Sequence, residues 1–166
     1  MKRKSLIPVL VFGIFLFLFQ SCENQDFEFP DYDHSAVYFA YQDPVRTLCL
    51  GEDENYNTDL DNAHQCAIYA VLSGMYSNKG TVTVDVAVDN SLCNNLYFSD
   101  GKTPVQAMPS TYYSLLANQI VMNGTMNGAV KVQFTDAFFA DENAIKNTYV
   151  VPIRMTGVNG ADSIIA

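Results

Sequence analysis

The 166 residues contain no tryptophan and only two histidines, and nine lysines and arginines stand against 18 acids. Each shortage excludes something. The histidines, His34 and His64, are isolated, and the chain has no G-x-S-x-G elbow, no histidine pair on a helix and no phosphate-binding glycine loop. A net charge of −9 repels phosphate, which excludes nucleic acid as a partner and makes anionic headgroups equally poor ones. No two of the four cysteines have zinc spacing. Two carboxylates suffice for glycoside hydrolysis, but nothing in the sequence pairs any two of these acids. The chain therefore reads as non-catalytic, with no cofactor or metal.

Long apolar runs are also scarce. The one that exists, Leu6 to Phe19, has 14 residues, short of the roughly 18–20 that a spanning helix needs. Lys2, Arg3 and Lys4 precede it, and Ser21 and Cys22 close it. A positive start, a short apolar core and a small residue before the cut describe a secretory signal. With Cys22 directly after Ser21, the segment resembles a bacterial lipoprotein signal, in which residues 1–21 are removed and Cys22 takes the lipid. Phe19 stands where leucine is usual. Glu23, Asp26, Glu28, Asp31 and Asp33 follow. In Bacteroidetes such acids resemble an address for the outer face of the outer membrane. Residues 22–34 read as a tether and 35–166 as a folded domain. Signal removal leaves 145 residues, enough for one core, and lowers the basic count from 9 to 6 against 18 acids, a net of −12. Such a surface is compatible with a neutral oligosaccharide or a cation.

Three cysteines then remain, Cys49, Cys66 and Cys93, so at least one thiol is unpaired. Cys49 and Cys66 lie in strand-like runs and read as small apolar residues, with one disulfide as the alternative.

The folded part alternates with period two, the mark of half-buried strands. In Ala36 to Tyr41, Val37, Phe39 and Tyr41 share a face; a strand over Val45 to Leu50 follows. Cys66, Ile68, Ala70 and Leu72 oppose Ala67, Tyr69 and Val71. Val82, Val84, Val86 and Val88 form the cleanest stripe. A helical turn near Ser91–Asn95, short strands at Tyr112–Leu115 and Gln119–Met122, and turns at Asn123-Gly124 and Asn127-Gly128 are expected. Val130, Val132 and Phe134 face inward, Ala137–Asn147 is a short helix or loop, and Tyr149, Val151, Ile153 and Met155 share a final face, with Pro152 marking an edge or bulge. About seven strands and no long helix give an all-β, antiparallel two-sheet sandwich, immunoglobulin-like in broad layout. Ile164 and Ile165 read as the start of a further strand, which suggests a truncated gene or the first domain of a longer protein.

Two stretches carry binding chemistry. In Gly51–Asn62, Asp53, Asn55 and Asn57 mimic the opening of a calcium loop, but Thr58 stands where glycine is needed and no glutamate closes it. It reads as a solvated loop. Sugar recognition stacks CH groups on aromatic faces and bonds hydroxyls with amides and acids. Tyr56, Tyr76, Tyr97, Tyr112 and Tyr113 lie in loops or at strand ends beside polar residues and form the candidate ligand-binding set. Asp162-Ser163-Ile164 resembles a Bacteroidetes O-glycosylation tripeptide.

Cys22 with its acids, the strand-final Val88-Asp89-Asn90, Pro109-x-x-Tyr112-Tyr113 and Val151-Pro152-Ile153-Arg154 together resemble an N-terminal β-sandwich module of Bacteroidetes surface lipoproteins. That family, a domain of unknown function, stands in front of surface glycan-binding proteins and of some family-18 endo-β-N-acetylglucosaminidases, beside outer-membrane glycan-import genes. The resemblance implies an immunoglobulin-like fold, lipid anchoring at the cell surface and glycan capture in a polysaccharide-utilisation system, with glycan-import proteins as partners. The alternative it implies is a spacer that holds a downstream domain off the membrane. It supplies no catalytic residues.

Overall fold

Strand alternation is realised in two sheets. The computed structural model describes residues 30–40, 48–146 and 148–165; Cys22, the signal segment and Tyr41 lie outside them. Ten strands occur among the described residues: β1 Ala36–Phe39, β2 Gln65–Ser73, β3 Thr81–Val88, β4 Gln106–Ala107, β5 Tyr113–Leu115, β6 Gln119–Asn123, β7 Asn127–Phe134, β8 Tyr149–Val150, β9 Ile153–Asn159 and β10 Ser163–Ile164. One sheet has the order β10-β1-β2-β7-β5, the other β6-β3-β9, and β4 pairs with β8 apart from both. The architecture is an all-β sandwich. No helix among the described residues is long and apolar enough to cross a membrane.

The core follows the alternation. Val37, Ala70, Leu72 and Val130 of the first sheet meet Val82, Val84, Val86, Ile120, Met122 and Met155 of the second. Each fully buried aliphatic side chain contributes about 1.5–3 kcal/mol. A smaller cluster of Met108, Tyr113, Val132 and Phe134 caps one end, with Phe138, Tyr149 and Val151 packed against it.

The sheets are joined by one strand that changes sides. β5 pairs with β7 through Tyr113↔Phe134 and Leu115↔Val132. The Leu116 N–H still donates to the Lys131 carbonyl at 2.9 Å, and then the Val86 N–H takes the Asn118 carbonyl at 2.9 Å. From Gln119 onward the same run pairs with β3 as β6. Strands that switch sheets in this way make the corners of sandwiches. Its hairpin partner β7 must then pass close beside it. A Cβ on Gly128 would lie 2.6 Å from the Val121 carbonyl oxygen and 2.9 Å from Ile120 Cγ2.

That passage corrects the turn expected at Asn127-Gly128. Both residues are in β7, and Gly128 is there for close approach rather than for a bend. The chain turns over residues 124–126 instead, where the buried Asn78 amide donates to the Met122 and Thr125 carbonyls at 3.0 Å each. Two further expectations change. Residues 45–47 lie outside the described residues, and Leu48–Leu50 form no strand; the Cys49 N–H goes to the Asp61 carboxylate at 3.0 Å. The strand through Pro152 divides into β8 and β9, because proline has no N–H for a ladder. Tyr149 and Val151 still face inward but into the end cluster, whereas Ile153 and Met155 face the main core. Ala137–Asn147 becomes a helical turn, Asp136–Phe139, and a 3₁₀ turn, Glu142–Ile145.

β1, β3 and β7 all start at one end, where residues 74–80, 124–126 and 160–162 make tight connections. The other end carries the described residues 48–64, 89–112 and 135–146. These are called the turn end and the loop end below.

Gly128→Ala is expected to destabilise the domain by about 1–3 kcal/mol, read as a lower urea midpoint with an unchanged slope. Gly80→Ala, where the nearest atom to the new Cβ is 3.9 Å away, serves as the control and should change stability by less than about 1 kcal/mol, in the favourable direction.

Candidate functional site

The loop end uses its aromatics for packing. Asp136–Phe139 lays Phe138 on Phe134 at 4.8 Å between ring centroids, and Phe139 on His64 at 4.1 Å. Tyr112 and Tyr149 meet edge to face at 5.9 Å, and both hydroxyls donate to Asp141 Oδ2, at 3.1 and 2.8 Å. The other Asp141 oxygen accepts the Asn143 N–H at 2.9 Å. That backbone bond, with the two phenols, holds the Asp141 carboxyl below its ordinary pKa. The carboxylate in turn raises both phenols. Tyr113 is buried, and burial raises its phenol as well.

The five tyrosines singled out from the sequence are therefore not one surface. Tyr113 is 8% exposed and belongs to the end cluster, and Tyr112 is half-buried with its hydroxyl engaged. Neither offers a free face. Tyr56 and Tyr97 are exposed on loop-end segments, whereas Tyr76 lies at the turn end. Asp141 was not singled out from the sequence, and Tyr149 was read only as one of the residues sharing the face of the final strand; the local signal for Asp141 was the Asp-x-Asn cap that starts the 3₁₀ turn.

The acidic loop closes on itself. Gly51 donates to Asn62 Oδ1 at 2.7 Å, its carbonyl accepts from Thr58 Oγ1 at 2.6 Å and Asn62 Nδ2 at 3.0 Å, and Asp53 and Asn57 accept backbone N–H groups two residues on. No group of three or more acidic, histidine or cysteine side chains among the described residues is placed to hold a metal. Cys49 is exposed rather than buried, while Cys66 and Cys93 are half-buried.

The turn end holds the more open candidate site, a cleft of about 400 Å³ lined by Asp31, Tyr32, Met75, Lys79, Thr81 and Gly160 among others. Asp31 organises it. Its two oxygens accept the Tyr76 N–H at 3.0 and 3.1 Å, and one also accepts the Tyr32 N–H at 3.1 Å. Tyr32 and Tyr76 are 79% and 65% exposed, so this carboxylate ties together the backbones of two exposed tyrosines, of which Tyr32 lines the cleft. Lys79 adds a cation, and Ser77 and Thr81 add hydroxyls. The cleft contains a single carboxylate, so it lacks the pair that glycoside hydrolysis requires. Tyr32 and Asp31 were read from the sequence as tether, and only the fold brings them to Tyr76.

Fold and site together define a small all-β sandwich module with an open polar cleft. A family model described as "-like, N-terminal domain" matches residues 32–162, and the chain belongs to that N-terminal-domain family. The crystal structure of a protein of unknown function from Bacteroides ovatus is similar at 47% identity and a TM-score of 0.74, over 81% of this chain and 42% of that one. The chain thus spans less than half the length of that relative. A two-domain protein of unknown function from Bacteroides fragilis aligns over 99% of this chain and 47% of its own at 16% identity, with a TM-score of 0.47. No curated protein matches the chain.

Asp141 contributes stability that is present above the unfolded carboxylate pKa, about 3.9, and is lost as pH falls through its lower folded value. Asp89, Asp100 and Asp162 are lowered too. The thermal midpoint is therefore expected to hold from neutral pH to about pH 4 and to drop below it. In Asp141→Asn the phenols of Tyr112 and Tyr149 should fall back toward about pH 10, seen as tyrosinate absorbance appearing at lower pH than in the parent.

Proposed function

We propose that the chain is a non-catalytic N-terminal module of a surface lipoprotein, anchored through lipid on Cys22, that holds the following part of the protein away from the outer membrane. The carrying observation is directional. The chain comes into the domain at the turn end, and its last described strand, β10, runs parallel to β1 and so heads toward the loop end. Incoming and outgoing segments that point the same way suit a module placed in series. Two facts from relatives support this: the family is described as an N-terminal domain, and the chain covers 42% of the Bacteroides ovatus protein. The dispersed positions of Tyr56, Tyr76, Tyr97, Tyr112 and Tyr113 also favour a spacer over a dedicated binder.

A second reading, oligosaccharide capture in a polysaccharide-utilisation system, is favoured by one observation: exposed Tyr32 lines the open cleft, and exposed Tyr76, bound through its backbone N–H to the same Asp31, flanks its lining residues Met75 and Ser77. Aromatic faces with neighbouring hydroxyls suit a neutral sugar.

Soluble Glu23–Ala166 should migrate unretarded in affinity gels cast with a panel of polysaccharides. Retardation that disappears in Tyr32→Ala with Tyr76→Ala would replace the spacer reading with capture. For the anchor, Cys22→Ala should abolish incorporation of labelled fatty acid and move the protein out of the membrane fraction; unchanged labelling would refute lipid at Cys22.

A further inference from the structure

The segment that leads into β1 is bound to the last described strand by more than a short ladder. β1 and β10 are parallel, with Ala36 beside Ser163 and Val37 beside Ile164. The Ile165 N–H donates to the Val37 carbonyl at 2.8 Å, and the Asp162 N–H to the Ser35 carbonyl at 3.2 Å. Side chains extend the junction toward the incoming chain. Asp162 Oδ2 accepts the Ser35 N–H at 2.7 Å and the Ser35 hydroxyl at 2.8 Å, and His34 Nε2 lies 2.9 Å from Ser163 Oγ. The His34 carbonyl packs on Gly74, whose φ of +80° and lack of a side chain permit the contact; a Cβ there would overlap that oxygen. Three residues before His34, Asp31 grips the Tyr76 N–H through both oxygens.

We infer that this junction is a shear clasp, which resists tension applied between the N-terminal side of Asp31 and the C-terminal side of Ile165. The argument is geometric. Force on the start of β1 and on the end of β10 pulls two parallel neighbours in opposite directions along their common axis. The backbone bonds of Ser35, Val37, Asp162 and Ile165 and the Asp162–Ser35 carboxylate bonds then stretch together, and none can open far before the others. Antiparallel first and last strands with both ends on one side would be peeled open bond by bond. The second sheet cannot take over this task, since β6, β3 and β9 share no ladder with β10. The tripeptide Asp162-Ser163-Ile164 thereby gains a structural role, with its acid and its hydroxyl both engaged across the junction. The natural source of such tension, an anchored N-terminus and a load beyond β10, rests on the spacer reading; the clasp itself does not.

The test is single-molecule pulling on the mature chain, since forced unfolding reports the barrier that the clasp raises. One protein carries handles at its two ends. A second keeps the C-terminal handle and moves the other to a click-reactive side chain at Ala40, beyond the far end of β1, so that the same strand pair is peeled. The expected result is a loss of rupture force on moving the handle, and a loss of end-to-end rupture force in Asp162→Ala, shown to be folded by circular dichroism. Equal rupture forces in the two geometries of the parent sequence, or a low-force lengthening in which β10 leaves before the main rupture, would overturn the clasp. A weak clasp leaves the spacer reading standing, and failed lipid labelling or glycan retention leaves the clasp standing.

Discussion

The fold depends on one close approach: the backbone of β7 against the backbone of β6 at Gly128. Strand 113–123 belongs to the first sheet for its first part and to the second sheet for its last, and the hand-over occupies only Leu116 to Asn118. Two sheets packed face to face are normally about 10 Å apart. A chain that crosses this gap and still keeps a hairpin partner must let that partner graze its own main chain. Glycine alone tolerates the contact. The main core is then closed on that side by Ile120 and Met122, whose positions the crossing fixes. The stripe of valines in β3 has its mates in place only because the crossing brings β6 alongside it.

The two ends of the sandwich solve opposite problems. Long segments at the loop end would expose a great deal of backbone, so they carry their own small core. Phe134, Phe138, Tyr112 and Tyr149 pack over Met108 and Val132, and Asp141 collects the hydroxyls that this packing would otherwise strand. The turn end has short connections and no such cluster. Its polar groups serve the backbone: Asn78 closes one turn, and Asp31 and Asp162 fasten the incoming segment. Tyr32 and Tyr76 at the turn end are thus free of packing duty, whereas Tyr112, Phe134, Phe138 and Tyr149 at the loop end are engaged.

This division explains what was legible in the sequence. β2, β3 and β7 were readable because each has one side on the core and one on solvent, so that Leu72, Val84 and Val130 recur at every second position. Leu48–Leu50 shows the same local alternation, but a carboxylate twelve residues on takes the Cys49 N–H, and no pattern within the segment announces that. Asn127-Gly128 has the composition of a turn because glycine serves both bends and close approaches, and only tertiary contact separates the two. The tyrosines were the hardest. Burial of Tyr113 beside a half-exposed Tyr112 is a matter of one residue of register. The pairing of Tyr32 with Tyr76 runs through a carboxylate 45 positions distant from the amide it holds.

The grip of Asp31 on Tyr76 also sets a leash. With lipid on Cys22, as proposed, eight residues lie between that cysteine and Asp31, the first fastened position. Fully drawn out, the nine Cα-to-Cα steps reach about 30 Å. That length is an upper bound on the distance between such a lipid and Asp31, about the thickness of a bilayer core. A fastening point a few residues later would lengthen that limit, and one a few residues earlier would shorten it. The upper limit of the tether is thus set by the position of a single aspartate.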